Sequence, residues 1–155
     1  MQEIHIQKVL GLAQKAFVSS EIPVGAIVLD KSGKIIGKGY NLTHKHKSVL
    51  GHAELRALKQ AFKKTEDWRL DGCTLMVNLE PCLMCLGAIA NSRINKIVYF
   101  LADPQFGSVK TRFTSEQLQK LFPKLTIEQM DDMGATKELM QLFFKKLRSK
   151  KHIAR

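Results

Sequence analysis

The sequence has no apolar run long enough to form a membrane helix. Its longest run, residues 82–90, is about half of the roughly 20 residues that such a helix needs. The opening stretch MQEIHIQK also lacks the basic-then-apolar order of a secretory signal. We therefore expect a cytoplasmic protein that has no membrane partner.

Cysteines and acidic residues are both few. The three cysteines of a cytosolic chain are expected to be reduced rather than bridged. The chain carries 25 lysines and arginines against 14 acidic residues, which gives a net charge of +11. This excess favours polyanionic partners, nucleic acid first, with a generally basic protein that binds no such partner as the alternative.

No linker, repeat or low-complexity segment interrupts the 155 residues, which predicts one domain over residues 1–155. Apolar periodicity predicts a strand hairpin followed by alternating helices and strands, and hence a mixed sheet with helices on both faces. The predicted helices cover residues 3–18, 52–64, the stretch from Pro81, 115–122 and 135–150. The predicted strands cover residues 24–30, 34–41, 73–79, 96–101 and 125–129, with a polar loop before residue 52.

Cys82 and Cys85 stand in the stretch PCLMC, directly after a predicted strand, where Pro81 suits the first turn of a helix. Two cysteines three apart on a first helical turn point their thiols at one place. The helix dipole and the free N–H groups there favour the thiolates that bind metal. By itself the pair is also compatible with a redox motif or with half of a structural zinc site.

His52, in the stretch GHAELRAL, also lies at the predicted first turn of a helix that follows the sheet. Two helices that begin at the same sheet edge can bring His52, Cys82 and Cys85 together. One nitrogen and two sulfurs suit zinc. A fourth protein ligand would close the site, and Cys73 is the obvious candidate. We interpret Cys73 as a small core residue, because the length of a strand separates it from Cys82.

Three protein ligands leave a fourth position open, which is typical of a catalytic zinc, one per chain. Glu54 lies two residues beyond His52, too close to be a well-separated ligand but near enough to face that position. A carboxylate there can take a proton from a zinc-bound water, so we interpret Glu54 as the general base. His44 and His46 lie among lysines and are interpreted as solvated loop residues.

Histidine-x-glutamate followed by proline-cysteine-x-x-cysteine is typical of the zinc-dependent nucleobase deaminases. The stretches EIPVGAIV, WRLDGCTL, NLEPCLMCLGAI, SRINKIVY and FFKKLRSKK further resemble the bacterial tRNA-specific adenosine deaminases, over about residues 3 to 151. The resemblance implies a cytidine-deaminase-like fold, a three-layer α/β/α sandwich around a mixed sheet of about five strands. It also implies a homodimer that converts adenosine to inosine at the wobble position of a tRNA anticodon.

Within this resemblance, His52, Cys82 and Cys85 match the zinc ligands and Glu54 matches the proton shuttle. Asn41 matches the asparagine that reads the flipped base, although the residues alone favour a turn cap over base recognition. The other substrate contacts that we expect, from the pocket wall to the last helix, are Pro23, Val24, Ala53, Asp103, Phe144, Lys145 and Arg148. In one departure, the stretch ADPQFGSV has Gln105 and Phe106 where family members usually carry a lysine-glycine segment.

The end of the predicted last helix is strongly basic, and we expect it to contact the phosphates of an anticodon stem-loop. Its cluster consists of Lys145, Lys146, Arg148, Lys150, Lys151 and Arg155. Two other functions share parts of the pattern. A small-molecule deaminase, acting on guanine or cytosine for example, would need no basic tail, and a non-catalytic zinc-stabilised RNA-binding module would need no Glu54.

Overall fold

The structure is a computed structural model that describes residues 3–153, with side chains described through residue 150. Helices and strands alternate along this part of the chain. The helices are α1 (Glu3–Val18), α2 (Thr43–His46), α3 (Ala53–Thr65), α4 (Leu83–Asn91), α5 (Ser115–Leu121) and α6 (Ala135–Ile153). The strands are β1 (Gly25–Leu29), β2 (Ile35–Tyr40), β3 (Thr74–Leu79), β4 (Lys96–Leu101) and β5 (Thr126–Gln129).

The five strands form one mixed sheet in the order β2-β1-β3-β4-β5. Strand β1 is antiparallel to both of its neighbours, whereas β3, β4 and β5 run parallel. Parallel neighbours need crossover connections, and α4 and α5 lie in those connections. The predicted hairpin and mixed sheet are therefore confirmed.

Alternate residues of the central strands face opposite sides of the sheet, and each side is covered by helices. Ala26 and Val28 of β1 belong to an apolar cluster that includes residues of α3 and α4. Ile27 and Leu29 belong to a second cluster, which includes Val9 and Leu12 of α1. The predicted three-layer α/β/α arrangement is confirmed, since helices pack on both faces of one sheet.

The last helix packs against the first. The ring centroids of Phe143 in α6 and Phe17 in α1 are 6.4 Å apart, edge to face. Helix α6 begins at Ala135, as predicted, and its residues from Lys145 to Lys150 are exposed. The expected contributions of Lys151 and Arg155 concern side chains outside the described part of the chain.

Two local predictions were wrong. Instead of a polar loop before residue 52, the chain forms the short helix α2 and a 3₁₀ turn, Val49–Gly51. Pro81 is not in a first helical turn, because α4 begins at Leu83 with Cys82 as its extended N-cap residue. The reason lies in a neighbouring loop, in which Ser108 donates its N–H and hydroxyl to the Pro81 carbonyl.

Glycines on β2 let α3 lie closer to the sheet than a Cβ atom at those positions would allow. A Cβ atom on Gly39 would overlap the backbone of Ala53 and Ala57, and one on Gly37 would overlap Ala57 and Ala61. Since His52 and Glu54 sit at the start of α3, this close contact sets how deep they lie. Within the described residues, none of the helices is both long and apolar enough to cross a membrane.

Gly39→Ala should therefore destabilise the fold, by about 1–3 kcal/mol, because the new methyl group forces α3 away from β2. Gly11→Ala is the matched control. Gly11 lies exposed within α1 with no atom near its Cβ position, so the same change should raise the free energy of unfolding by about 0.5–1 kcal/mol. Urea unfolding of both variants measures the two effects; stabilisation by both would contradict the packing argument.

Candidate metal centre and active site

His52, Cys82 and Cys85 meet where two helices begin at one edge of the sheet. His52 is the N-cap residue of α3 and Cys82 that of α4, while Cys85 lies in the first turn of α4. Their candidate ligand atoms all lie within 4.8 Å of one another. The predicted convergence of these three side chains is what the structure shows.

The spacing of the three side chains fits a tetrahedral metal ion. His52 Nδ1 lies 3.4 Å from Cys85 Sγ and 3.7 Å from Cys82 Sγ. In a tetrahedral zinc site with ordinary bond lengths, a nitrogen and a sulfur ligand are about 3.6 Å apart. The cluster could therefore hold a metal ion of this kind with little rearrangement.

Proton affinities in the cluster are strongly shifted. Hydrogen bonds with Cys85 and His52 lower the pKa of the Cys82 thiol to about 4, although partial burial opposes this. The pKa of the Cys85 thiol is raised by its hydrogen bond with Cys82 and by burial, and the pKa of His52 is raised mainly by its hydrogen bond with Cys82. In the absence of a metal, the thiols of Cys82 and Cys85 therefore differ in how readily they lose a proton. A divalent cation bound between them would stabilise both as thiolates.

Other candidate ligands lie elsewhere. Cys73 is 6% exposed and belongs to the apolar cluster under α3 and α4, which confirms its interpretation as a core residue. His44 and His46 are exposed on α2, not in a loop as expected, and neither joins the cluster. Among the described residues, the group of side chains placed to hold a metal ion therefore contains three protein ligands.

Glu54 lies beside this cluster on the first turn of α3 and is buried, with 4% of its surface exposed. Burial raises the pKa of its carboxyl group, while a hydrogen bond with Cys85 and the charge of His52 oppose the rise. A carboxyl group with a raised pKa can both accept and return a proton near neutral pH. The position and surroundings of Glu54 suit proton transfer.

A cavity of about 460 Å³ opens above the cluster, with His52, Glu54 and Cys82 among its lining residues. This volume lies in the range of small-molecule sites. Its walls are largely apolar, and Val49, Met84 and Phe106 line it with partly exposed side chains. The cavity is thus an apolar cleft with a few polar groups at the candidate metal centre.

Asn41 lines the cavity and also holds its wall in place. Its Oδ1 accepts the Thr43 hydroxyl at 2.6 Å, and its Nδ2 donates to the Ile22 carbonyl at 3.3 Å. The turn-capping interpretation of Asn41 thus describes its contacts in part. One Nδ2 hydrogen is not used by these bonds, so the side chain retains a donor for a ligand.

Three buried polar residues that sequence reasoning missed anchor the cavity walls. Asn78 accepts the Gly25 N–H and donates to the Pro23 carbonyl, both at 2.9 Å, which ties the segment before β1 to β3. Glu21 accepts the His44 N–H at 2.7 Å and so fixes the start of α2. Polar residues within otherwise buried stretches are the only sequence signal for such anchors.

Glu80, the third anchor, holds the loop between β4 and α5. Its carboxylate accepts N–H groups from Asp103, Lys110 and Thr111 at 3.0–3.1 Å, and the Thr111 hydroxyl at 2.8 Å. This loop carries Asp103 and Phe106, which line the cavity. One buried carboxylate, 3% exposed, therefore orders a whole wall of the site.

The predicted substrate contacts divide into two groups. Val24, Asn41, Ala53 and Asp103 line the cavity, whereas Pro23 is buried and does not line it, although its chain neighbours Ile22 and Val24 do. The α6 residues do not line it. Phe144 and Arg148 line a separate depression of about 320 Å³ beside Leu101, and Lys145 is exposed without lining either space.

Comparisons with known proteins agree with this geometry. Residues 1–148 match the MafB19-like deaminase family. The chain is 33% identical to a tRNA-specific adenosine deaminase of Streptococcus pyogenes serotype M1, over 99% of this chain and 90% of that protein.

Two solved structures have the same fold. One comes from a study of A-to-I editing by tRNA:A34 deaminases at the wobble position of transfer RNA; it has a TM-score of 0.76 and 26% identity over 89% of this chain and 99% of the other. The second structure, a guanine deaminase from Nitrosomonas europaea, has a TM-score of 0.79 and 24% identity over 92% of this chain and 84% of that one. At this low identity, the similarity shows a shared fold only.

The sheet, the two helix starts and the His–Cys–Cys cluster beside a buried glutamate define a deaminase. The chain belongs to the MafB19-like deaminase family and to the tRNA-specific adenosine deaminases. The resemblance drawn from its motifs is confirmed.

Glu80→Gln tests the anchor. The amide offers one acceptor oxygen in place of two, so we expect a loss of about 1–3 kcal/mol in the free energy of unfolding and faster hydrogen exchange at the Asp103, Lys110 and Thr111 amides. Glu128→Gln is the control, because Glu128 pairs with Lys96 at the surface and its loss should cost under about 1 kcal/mol. If hydrogen exchange at these three amides is unchanged in Glu80→Gln, Glu80 does not hold the loop between β4 and α5 in place.

Proposed function

We propose that this protein deaminates adenosine to inosine at wobble position 34 of a tRNA anticodon, and that residues 1–155 act as one catalytic domain. One observation carries the proposal. Two of the three candidate metal ligands, His52 and Cys82, line the cavity together with the buried Glu54, in a chain that is similar over nearly its whole length to a tRNA-specific adenosine deaminase. A purely structural zinc site would be closed by a fourth protein ligand and would need no buried carboxylate beside it.

In this proposal zinc is the metal, one per chain, held by His52, Cys82 and Cys85. Bound there, it would supply an acidified water as the nucleophile. Glu54 would take one proton of the attacking water and deliver it to the ring nitrogen of adenine, then move the other proton of that water to the amino group, which leaves as ammonia. The reaction consumes one water and releases one ammonia, and a single carboxyl group can serve both transfers because each delivery returns it to its carboxylate form.

The cavity would hold the adenine after the nucleotide has been turned out of the loop stack. Its apolar wall, with Ile22 and Val24, suits the faces of a base. Asn41 supplies the free amide hydrogen for the polar edge, and Asp103 and Ala53 complete the expected contacts at the rim. Most discrimination among bases should come from Asn41, because a buried hydrogen-bonding group is left unpaired by the wrong base.

RNA outside the cavity would meet α6. The depression that Phe144 and Arg148 line lies at Leu101, which ends β4 two residues before Asp103. Lys145, with its basic neighbours on α6, would contact backbone phosphates of the anticodon stem-loop.

We also propose a homodimer, which is supported by the exposed apolar side chains of Val49, Leu50 and Leu83 near the cavity.

The metal assignment predicts about one zinc per purified chain. Cys82→Ala and Cys85→Ala should lose most of the bound metal and melt at a lower temperature, because metal affinity contributes to folding free energy. Cys73→Ala is the matched control, since Cys73 lies in the core away from the cluster, and it should keep its zinc. Metal analysis that finds full zinc occupancy in both of the first two variants would contradict the ligand assignment.

The activity is tested by offering the wild-type protein an anticodon stem-loop, free adenosine, guanine and cytidine, and measuring deamination of each. We expect inosine in the stem-loop alone. Activity only on a free base would overturn the proposal in favour of a small-molecule deaminase.

Glu54→Gln should keep zinc and RNA binding but lose turnover by at least ~10²–10⁴-fold, the usual effect of removing a general acid–base.

A further inference from the structure

A broad groove of about 850 Å³ crosses the open edge of the sheet, away from the candidate active site. Strand β2 is the edge strand, and the groove lies along it between α1 on one face and α3 on the other. The polar side chains that line it are His5, Lys8, Lys34, Lys38, Gln60 and Lys64, together with Gln7. Neither the catalytic proposal nor the predicted site residues involve this surface.

Positive charge predominates in the groove, although the Asp30 carboxylate lies near Lys34 and Glu3 accepts a hydrogen bond from the lining residue Gln7. Four lysines line it and no acidic residue does. Within the described part of the chain, the ion pairs are Arg69 with Asp67 and Lys96 with Glu128, so none of the four lysines is paired. Four like charges around one groove repel one another, and a bound polyanion would relieve that repulsion.

A buried polar atom in the groove also lacks a partner. His5 is 9% exposed, and its Nδ1 has no hydrogen-bond partner within the described structure. Gln60 uses its carbonyl oxygen to accept the Lys38 N–H at 2.7 Å, so its amide N–H groups are left as donors. The Gln60 amide N–H groups can donate to the oxygen atoms of a ligand in the groove. His5 Nδ1 is itself shielded, so it could do the same only as an N–H group and after the atoms that cover it have moved.

We propose that this groove binds the phosphate backbone of the tRNA substrate outside the anticodon loop. The proposal rests on the proposed function. Lys38 precedes Asn41 of the cavity by three residues of extended chain, about 10 Å. Lys64 follows His52 by twelve residues along α3, about 18 Å. An RNA whose base occupies the cavity could therefore reach the groove with the stem that follows.

The same features disfavour a second copy of this chain as the occupant. An open edge strand can pair with another, but Gln60 already takes the outward N–H of Lys38. Two copies meeting edge to edge would also bring eight lysines together, and like charges opposite each other destabilise strand pairing. A polyanion has neither difficulty.

The test uses the full-length protein with Lys34, Lys38 and Lys64 all changed to glutamine. The matched control changes Lys59, Lys63 and Lys120 to glutamine, which removes the same charge from exposed positions outside the groove. Affinity is measured against salt concentration for full-length tRNA and for a base-paired RNA hairpin that lacks the substrate adenosine. Inosine formation in the anticodon stem-loop at saturating RNA is measured for all three proteins.

We expect the groove variant to bind both RNAs on the order of tenfold more weakly, and its salt slope to flatten by about two to three units, at roughly 0.9 per duplex phosphate contact. The control should change much less, and the turnover number should be that of the wild type in both. Equal losses in both variants, or no loss in either, would overturn the groove proposal. A change in sedimentation confined to the groove variant would also overturn it, by identifying the occupant as a second copy.

The hairpin separates this proposal from the proposed function. If the wild type makes no inosine, the proposed function fails, while hairpin binding still decides whether the groove takes RNA phosphates. If the wild type makes inosine and the groove variant binds RNA as tightly as the wild type does, the groove proposal alone is overturned.

Discussion

The 3.4 Å approach of His52 Nδ1 to Cys85 Sγ requires two helices to start side by side at one edge of the sheet. Helix α3 reaches that position because glycines on β2 leave room for its backbone, and α4 because only Glu80 and Pro81 separate its N-cap residue Cys82 from the end of β3. The cavity, the buried Glu54 and the shifted thiol pKa values all follow from this approach. A displacement of one helix by even an ångström would open the ligand set and weaken its hold on a metal ion.

The walls of the cavity depend on a different interaction. In each wall, a buried polar side chain forms hydrogen bonds with the backbone of the loop. Glu80 gathers N–H groups from both ends of the segment that carries Asp103 and Phe106, and Asn78 ties down the stretch that carries Val24. A buried carboxylate is expensive unless every lone pair is used, and here the hydrogen bonds offset its desolvation. Irregular segments thereby gain a fixed shape without helices or strands of their own.

The sequence was informative where chemistry restricts the choice of residue. Cysteines spaced for one helical turn, and a histidine and glutamate at the start of another helix, predicted the cluster and its neighbour because few other arrangements use them. It was uninformative for Glu80 and Asn78, since a single polar residue has no periodicity and its partners lie over 20 residues away in the chain. The short helix α2 was missed because four residues carry too little pattern. The sequence also did not show that Phe144 lies apart from the cavity, because spacing alone does not tell which face of α6 packs inward.

In the proposed function, His52, Cys82 and Cys85 hold a zinc ion and leave one position free for chemistry. X-ray absorption at the zinc edge of the purified protein measures this directly. We expect two sulfur neighbours at about 2.3 Å, one imidazole nitrogen at about 2.0–2.1 Å and one further light atom that no side chain supplies. Four protein ligands around the metal, or a single sulfur, would contradict it.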